Sequence, residues 1–287
     1  MPHGESWFSF LPFYEAFQHW ISDVFGPSYL ESNPHLKVQH VLAYAVVVFL
    51  LVLMGFAIKK RLANPQDHVL PEGRLTPFSF IEMIISAVYN MSADLMGPKP
   101  AKYFLPLIGT CALVIFFSNV MGLIPGFLPP TDNLNTTFAM AMVIFVATHV
   151  YGVKEQGAKH YLQHFMAPQI PVFGAESSNP LVKVPAFLGW LVLTIFLGVL
   201  IPIIELISHI VRPITLGIRL MANMTADHLV LGIFVGIFAG MGALTFLLPV
   251  PVVFYVMGCL VVTVQTLVFC LLSVIYIALA IQHEEEH

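Results

Sequence analysis

The chain has 287 residues, of which 58% are hydrophobic and only 10% charged, and its formal net charge is -4. Soluble domains carry about 25% charged residues, so this composition excludes an ordinary soluble enzyme, and no basic block suggests a nucleic-acid partner. The apolar runs last about 20 residues or more, the length a helix needs to cross a bilayer, rather than the short alternating segments of a barrel. The expected class is an all-α integral membrane protein. It has about five transmembrane helices, an amphipathic surface helix and a long tilted C-terminal helical hairpin.

Residues 1–38 open MPHGESWFSFLPFYEAFQHW. They have no basic leader and an aromatic, amphipathic character, which reads as an interfacial, extracytoplasmic segment rather than a signal peptide. Residues 39–185 hold the peripheral helices and loops. The first span is VLAYAVVVFLLVLMGFAI at 41–58, stopped by Lys59, Lys60 and Arg61. FSFIEMIISAVYNMSADLMG at 78–97 carries Glu82 and Asp94 among regularly spaced apolar residues, the pattern of a helix lying at the membrane surface. YFLPLIGTCALVIFFSNVMGLI at 103–124 is the second span, and TTFAMAMVIFVATHVYGV at 136–153 the third.

Residues 186–287 differ: they form one apolar block broken mainly by Pro202, Pro213 and the LPVP at 248–251. The part before LPVP far exceeds a single perpendicular crossing. It is expected to be a long bent or tilted helix over 187–246, followed by a second helix over 250–282. Cys111, Cys259 and Cys270 all lie inside apolar runs and are read as small hydrophobes.

Nine of the twelve Lys and Arg fall in 59–61, 74–102 and 154–183, whereas 126–135 has none. The positive-inside rule then puts the N-terminus outside and the C-terminus in the cytoplasm. The size of the chain and the lack of a targeting peptide favour a bacterial inner membrane.

Within GIRLMANMTADHL, residues 217–229, an arginine has apolar sequence on both sides, too deep for its side chain to reach an interface. An ionisable group at that depth costs on the order of 2.5–3.5 kcal/mol on insertion scales, so it needs a functional partner. With Arg219 at zero and about 100° per residue, Asn223 and Glu205 fall near +40°, Arg212 near +20°, Ser208 near -20° and Thr215 near -40°. Asp227 falls near +80° and His228 on the opposite side. Two polar surfaces on one helix are what two aqueous paths meeting at a barrier require. Gln265 is the sole amide at depth in the last helix.

RPITLGIRLMANMTADHL, the later TVQTLVFCLLSVIYIALA, and FFSNVMGLIPGFLPPTDNLNTTFAMA resemble subunit a of the rotary F-type ATP synthase. The resemblance covers about 78–282 and is strongest over 200–282. It implies a stator subunit that conducts protons and is not catalytic by itself. Its hairpin lies against a ring of c subunits, within a hetero-oligomeric complex that includes peripheral-stalk b subunits and membrane lipid. It also implies that Arg219 meets the rotor carboxylate and separates two half-channels, with Asn223, Asp227, His228, Gln265, Glu205 and Ser208 along the proton path. Some family members pair a Glu nine residues after the arginine with a His seven before the glutamine. Here those positions are His228 and Gly258, with Asp227 in addition, so Asp227 and His228 stand in for the pair.

No cofactor or metal is expected. His283 to His287 match H-E-x-x-H, a zinc-protease pattern, but at the end of the chain, with no third ligand, a solvated acidic tail is the reading. A stand-alone secondary ion transporter or channel would share the polar stripe. Such folds often carry internal repeats with paired broken helices, and none stands out here.

Overall fold

A computed structural model describes residues 6–25, 38–62, 76–124, 126–158, 161, 180–239 and 250–281. Seven α-helices are described: α1 Tyr14–Phe25, α2 Gln39–Leu62, α3 Pro77–Met96, α4 Pro98–Gly122, α5 Leu134–Gln156, α6 Pro180–Ala239 and α7 Val250–Ile281. Short 3-10 turns lie at Trp7–Phe10 and Pro130–Asp132. There is no strand among the described residues. Among the described residues five stretches are long and apolar enough to cross a membrane: Gln39–Lys59, Pro98–Gly122, Leu134–Gln156, Leu200–Ile237 and Val252–Ile281. The expected helices are therefore present, most of them extended by a few residues at one or both ends. Leu248 and Pro249 of the LPVP bend, and the whole H-E-x-x-H tail, lie outside the described residues.

Local chemistry sets the helix ends. Thr76 caps α3 by accepting from the backbone N–H of Ser79 at 3.3 Å, and Pro77, whose missing N–H costs nothing there, begins the first turn. Gly97 ends α3 at φ +83°, a left-handed conformation that favours glycine, and Pro98 starts α4 directly after it. Asn133 caps α5 through its Oδ1, which accepts from the Asn135 N–H at 2.9 Å. The long helix α6 is assigned without a break through Pro202 and Pro213.

The helices pack as a bundle in which α4 touches α2, α3 and α7, and α5 lies against both α6 and α7. One core joins Val114 and Ile115 of α4, Met140, Ala141 and Ile144 of α5, Leu216 and Leu220 of α6, and Phe269 of α7. A second joins Val88 of α3, Phe104, Ile108 and Ala112 of α4, and Cys270, Val274 and Ile277 of α7. The amphipathic α3 thus buries one stripe on α4 and α7. Phe8 packs with Ala43, Val47 and Met121, and the Trp7 N–H donates to the Gly126 carbonyl at 2.9 Å, tying the N-terminal turn to the α4–α5 connection.

Between lipid-facing helices close packing, rather than the hydrophobic effect, drives association, and small residues allow it. Gly217 shows this directly. A Cβ there would lie 3.2 Å from the Phe138 Cα and 3.3 Å from its N, so α5 and α6 meet backbone to backbone two residues before Arg219. By contrast α2 exposes Phe49, Leu50, Val52, Leu53 and Phe56, a surface suited to lipid.

Candidate functional site: the polar row of the long hairpin

The cores fix the rotation of α6. Leu216, Leu220 and Met224 are buried, which turns Ile214, Ile218 and Arg219 outward. Helix α7 likewise exposes Val256, Met257, Leu260, Val264 and Leu267. Arg219 therefore stands as a cation on an apolar surface, with no hydrogen-bond or ion-pair partner among the described residues. Its guanidinium stays charged at any physiological pH and cannot itself hand on a proton.

One turn further along, Asn223 Nδ2 donates to Gln265 Oε1 at 2.6 Å. Gln265 is 5% exposed, so this bond joins the exposed row of α6 to the interior of α7. One more turn on, Asp227 lies over Gly258: a Cβ on Gly258 would sit 3.4 Å from Asp227 Oδ2 and 3.9 Å from Oδ1. The place of the missing side chain on α7 is thus taken by the Leu123 Cδ2 methyl, 2.7 Å from that Cβ, with the Asp227 carboxylate of α6 beside it. Asn223, Gln265 and Asp227 form one line of polar groups along the helix–helix seam.

His228 leaves that line. Its Nδ1 is buried without a protein hydrogen-bond partner, on the side of α6 away from Arg219. Thr225, three residues earlier and on the same side, donates its hydroxyl to Asp132 Oδ1 in the α4–α5 turn. Asp227 and His228 thus leave α6 in different directions, as their angles on the helix require, and Asp227 is the one that meets α7.

At the other end of the hairpin, Ser208 is exposed and returns its hydroxyl to the Ile204 carbonyl at 2.8 Å, while Glu205 is half-buried. Arg212, in the Arg219 row by angle, is turned inward. Its Nη1 lies 3.4 Å from His209 Nε2, and its guanidinium carbon 5.3 Å from the centre of the Tyr276 ring. His209 Nδ1 donates to the Glu205 carbonyl at 2.9 Å and His149 Nδ1 to the Phe145 carbonyl at 2.8 Å, so each neutral ring carries its lone pair on Nε2. The two rings lie 5.8 Å apart. With Thr148 and Tyr276 they line a cavity of about 10 Å3, room for about one water. Beyond α5, burial pushes the Tyr161 hydroxyl above the usual tyrosine value, against the pull of Arg212.

The structure thus brings Asn223, Gln265 and Asp227 together, leaves Arg219 facing outward, and keeps Glu205 and Ser208 apart from them. Sequence reasoning missed the Asp132–Thr225 contact, for which a carboxylate in a turn without a single Lys or Arg was the available signal. For Arg212, beside the Pro213 bend, the sequence leaves snorkelling and structural pairing open, because a long flexible side chain can turn either way, and the structure shows pairing.

Comparison with known proteins agrees in kind. The family model for ATP synthase A chain matches residues 38–278. ATP synthase subunit a of Sorangium cellulosum is 40% identical over 242 residues, 84% of this chain and 82% of that protein. Subunit a of Geobacter sulfurreducens is 38% identical over 84% of this chain and 89% of its own length. ATP synthase subunit a 2 of Syntrophotalea carbinolica is 38% identical over 92% of this chain and 93% of its own. With a match this long, and with an outward arginine flanked by an amide pair across two long helices, the chain belongs to the ATP synthase A chain family.

Proposed function

We propose that this chain is the proton-conducting stator subunit in the membrane sector of an ATP synthase. It couples proton flow to the rotation of a ring of c subunits and carries no chemistry on ATP itself. Peripheral-stalk b subunits hold it still against the ring. The observation that carries the reading is Arg219, unpartnered and outward on an apolar helix face, one turn from the Asn223–Gln265 bond.

The mechanism follows from electrostatics. A rotor carboxylate can travel through lipid only when protonated, because its charged form is expensive there. Opposite Arg219 the positive charge favours the ionised form, so the proton leaves. Rotation then presents the carboxylate to an outer half-channel, where the line of Asp227, Asn223 and Gln265, with His228, reloads it. Glu205 and Ser208 lie along the inner half-channel, which drains to the cytoplasm. Arg219 sits between the halves and repels a proton moving straight across. Each proton crossing 100 mV releases about 2.3 kcal/mol, so several must pass for each ATP.

The distribution of Lys and Arg supports an inner-membrane orientation with the N-terminus outside and the C-terminus in the cytoplasm. The outward apolar faces of α6 and α7 are then the surface that meets the ring. A cysteine at Ile218, one residue from the arginine, is expected to cross-link to a c subunit in the assembled complex. Cysteine at Phe49, on the far side of the bundle in α2, is expected not to. Cross-linking at Phe49 and not at Ile218 would sink the assignment of the rotor face.

A further inference from the structure

The α4–α5 turn carries a carboxylate that the path above does not use. Asp132 closes the 3-10 turn Pro130–Asp132 and is the sole titratable residue in 126–135. It is half-exposed, and it accepts the Thr225 hydroxyl from α6. Its neighbour Thr131 donates to Asn119 Oδ1 of α4 at 2.7 Å. Asn119 is only 1% exposed, yet its Nδ2 has no protein partner, and the same holds for the buried Nδ1 of His228. Thr225 and His228 are three residues apart, so they share one side of α6. Asp132 is therefore tied to the same stripe of α6 that carries the unpaired imidazole.

Buried polar atoms in folded proteins nearly always find a partner, and where no protein group serves, ordered water does. Two such atoms flank this turn, one on α4 and one on α6. A water joining Asn119, Asp132 and His228 would satisfy both atoms and would lead inward from the half-exposed Asp132.

We infer that Asp132 is the proton-collecting group at the outer mouth of the chain, passing protons through water to His228. This rests on the outer half-channel proposed above. The step moves a proton and changes no bond between heavy atoms. External hydronium protonates Asp132 and is left as water; the Asp132 O–H then breaks as the bridging water takes that proton and gives one of its own to the imidazole. His228 adjoins Asp227, from which the Asn223–Gln265 pair leads toward Arg219. At the turn-side ends of the elements packed around it, α2, α4, α5 and α6, the titratable groups are Asp227 and His228 of α6 and His40 and Tyr44 of α2; Arg219 lies further along α6. No Lys or Arg lies in the turn to hold Asp132 permanently paired.

The competing role is mechanical: Asp132 could simply tether the turn to α6 through Thr225. Asp132→Asn separates the two, because it keeps an oxygen for the Thr225 hydroxyl but cannot bind a proton. The whole complex is reconstituted in vesicles, and ATP synthesis is followed as the source-side pH is varied. Asp132→Asn is expected to slow synthesis about tenfold at alkaline source-side pH, with the deficit closing as that side is acidified. Asp132→Glu is expected to restore the profile. Thr225→Val, which removes the tether and leaves the carboxylate, is expected to lower the rate by one factor at every pH.

A wild-type profile for Asp132→Asn overturns the proposal, as does a deficit that is flat with pH and matched by Thr225→Val. Should Asp132→Asn fail to assemble, Asp132→Ser carries the same expectations. An Arg219→Ala complex is run alongside. If it still synthesises ATP, the stator reading itself fails; if it is inactive while Asp132→Asn behaves as wild type, only the role of Asp132 falls.

Discussion

At the scale of single residues, position 258 explains the most unusual feature of the site. Glycine there lets its neighbours approach the last helix closely, and the Asp227 carboxylate from α6 lies 3.4 Å from where a Cβ would be. A carboxylate moved from α6 to α7 would occupy nearly the same place. The one obstruction is the Leu123 Cδ2 methyl, 2.7 Å from that Cβ and at the end of a flexible side chain. Asp227→Gly is therefore expected to slow ATP synthesis about tenfold, and Gly258→Asp added to it to recover most of the loss. Synthesis at the wild-type rate in Asp227→Gly alone would contradict a role for this carboxylate. The Arg219–Asn223 row was legible in the sequence, because angular placement on a helix needs only a period of 3.6 residues. The place of Asp227 over Gly258 was not. Angle shows that Asp227 and His228 diverge, but only the packing of α7 against α6 decides what Asp227 meets.

At the scale of elements, the spans were legible because a run of about 20 apolar residues has few other stable solutions. Their ends were less so. Pro77 and Gly97 mark α3 by known capping chemistry, and the first apolar span ends at Lys59 as the basic run implies, yet helix α2 itself continues to Leu62. A charged run ends an apolar segment without ending a helix, since Lys and Arg are good helix formers. The approach of α5 to α6 at Gly217 was also invisible, because a glycine in a helix signals close contact without naming the partner. A side chain there meets the Phe138 backbone, which cannot swing aside as a flexible tip can. Gly217→Val is expected to destabilise the pairing by about 1–3 kcal/mol, the usual range for overpacking. Quantifying subunit a in the purified complex measures this: a clear fall is expected, and normal incorporation would show that the helices can separate without loss.

At the scale of the molecule, two polar regions lie on either side of Arg219 along one long helix. Toward the α4–α5 turn are the Asn223–Gln265 bond, Asp227 over Gly258, His228 and Asp132. Toward the opposite end are Glu205, Ser208 and the clamp that holds Arg212 between His209 and Tyr276. The bundle of α4, α5 and α7 fixes the rotation of α6, so the arginine faces outward while the amide pair reaches inward. Family membership came through the resemblance of RLMAN and the later glutamine, which composition alone could not supply. The division of labour around Arg219 comes from the packing. The most direct test is ATP synthesis by vesicles holding the whole complex with Arg219→Ala, driven by an imposed proton gradient. Subunit a is expected to assemble normally and synthesis to be abolished. Continued synthesis in an assembled Arg219→Ala complex would contradict the central claim.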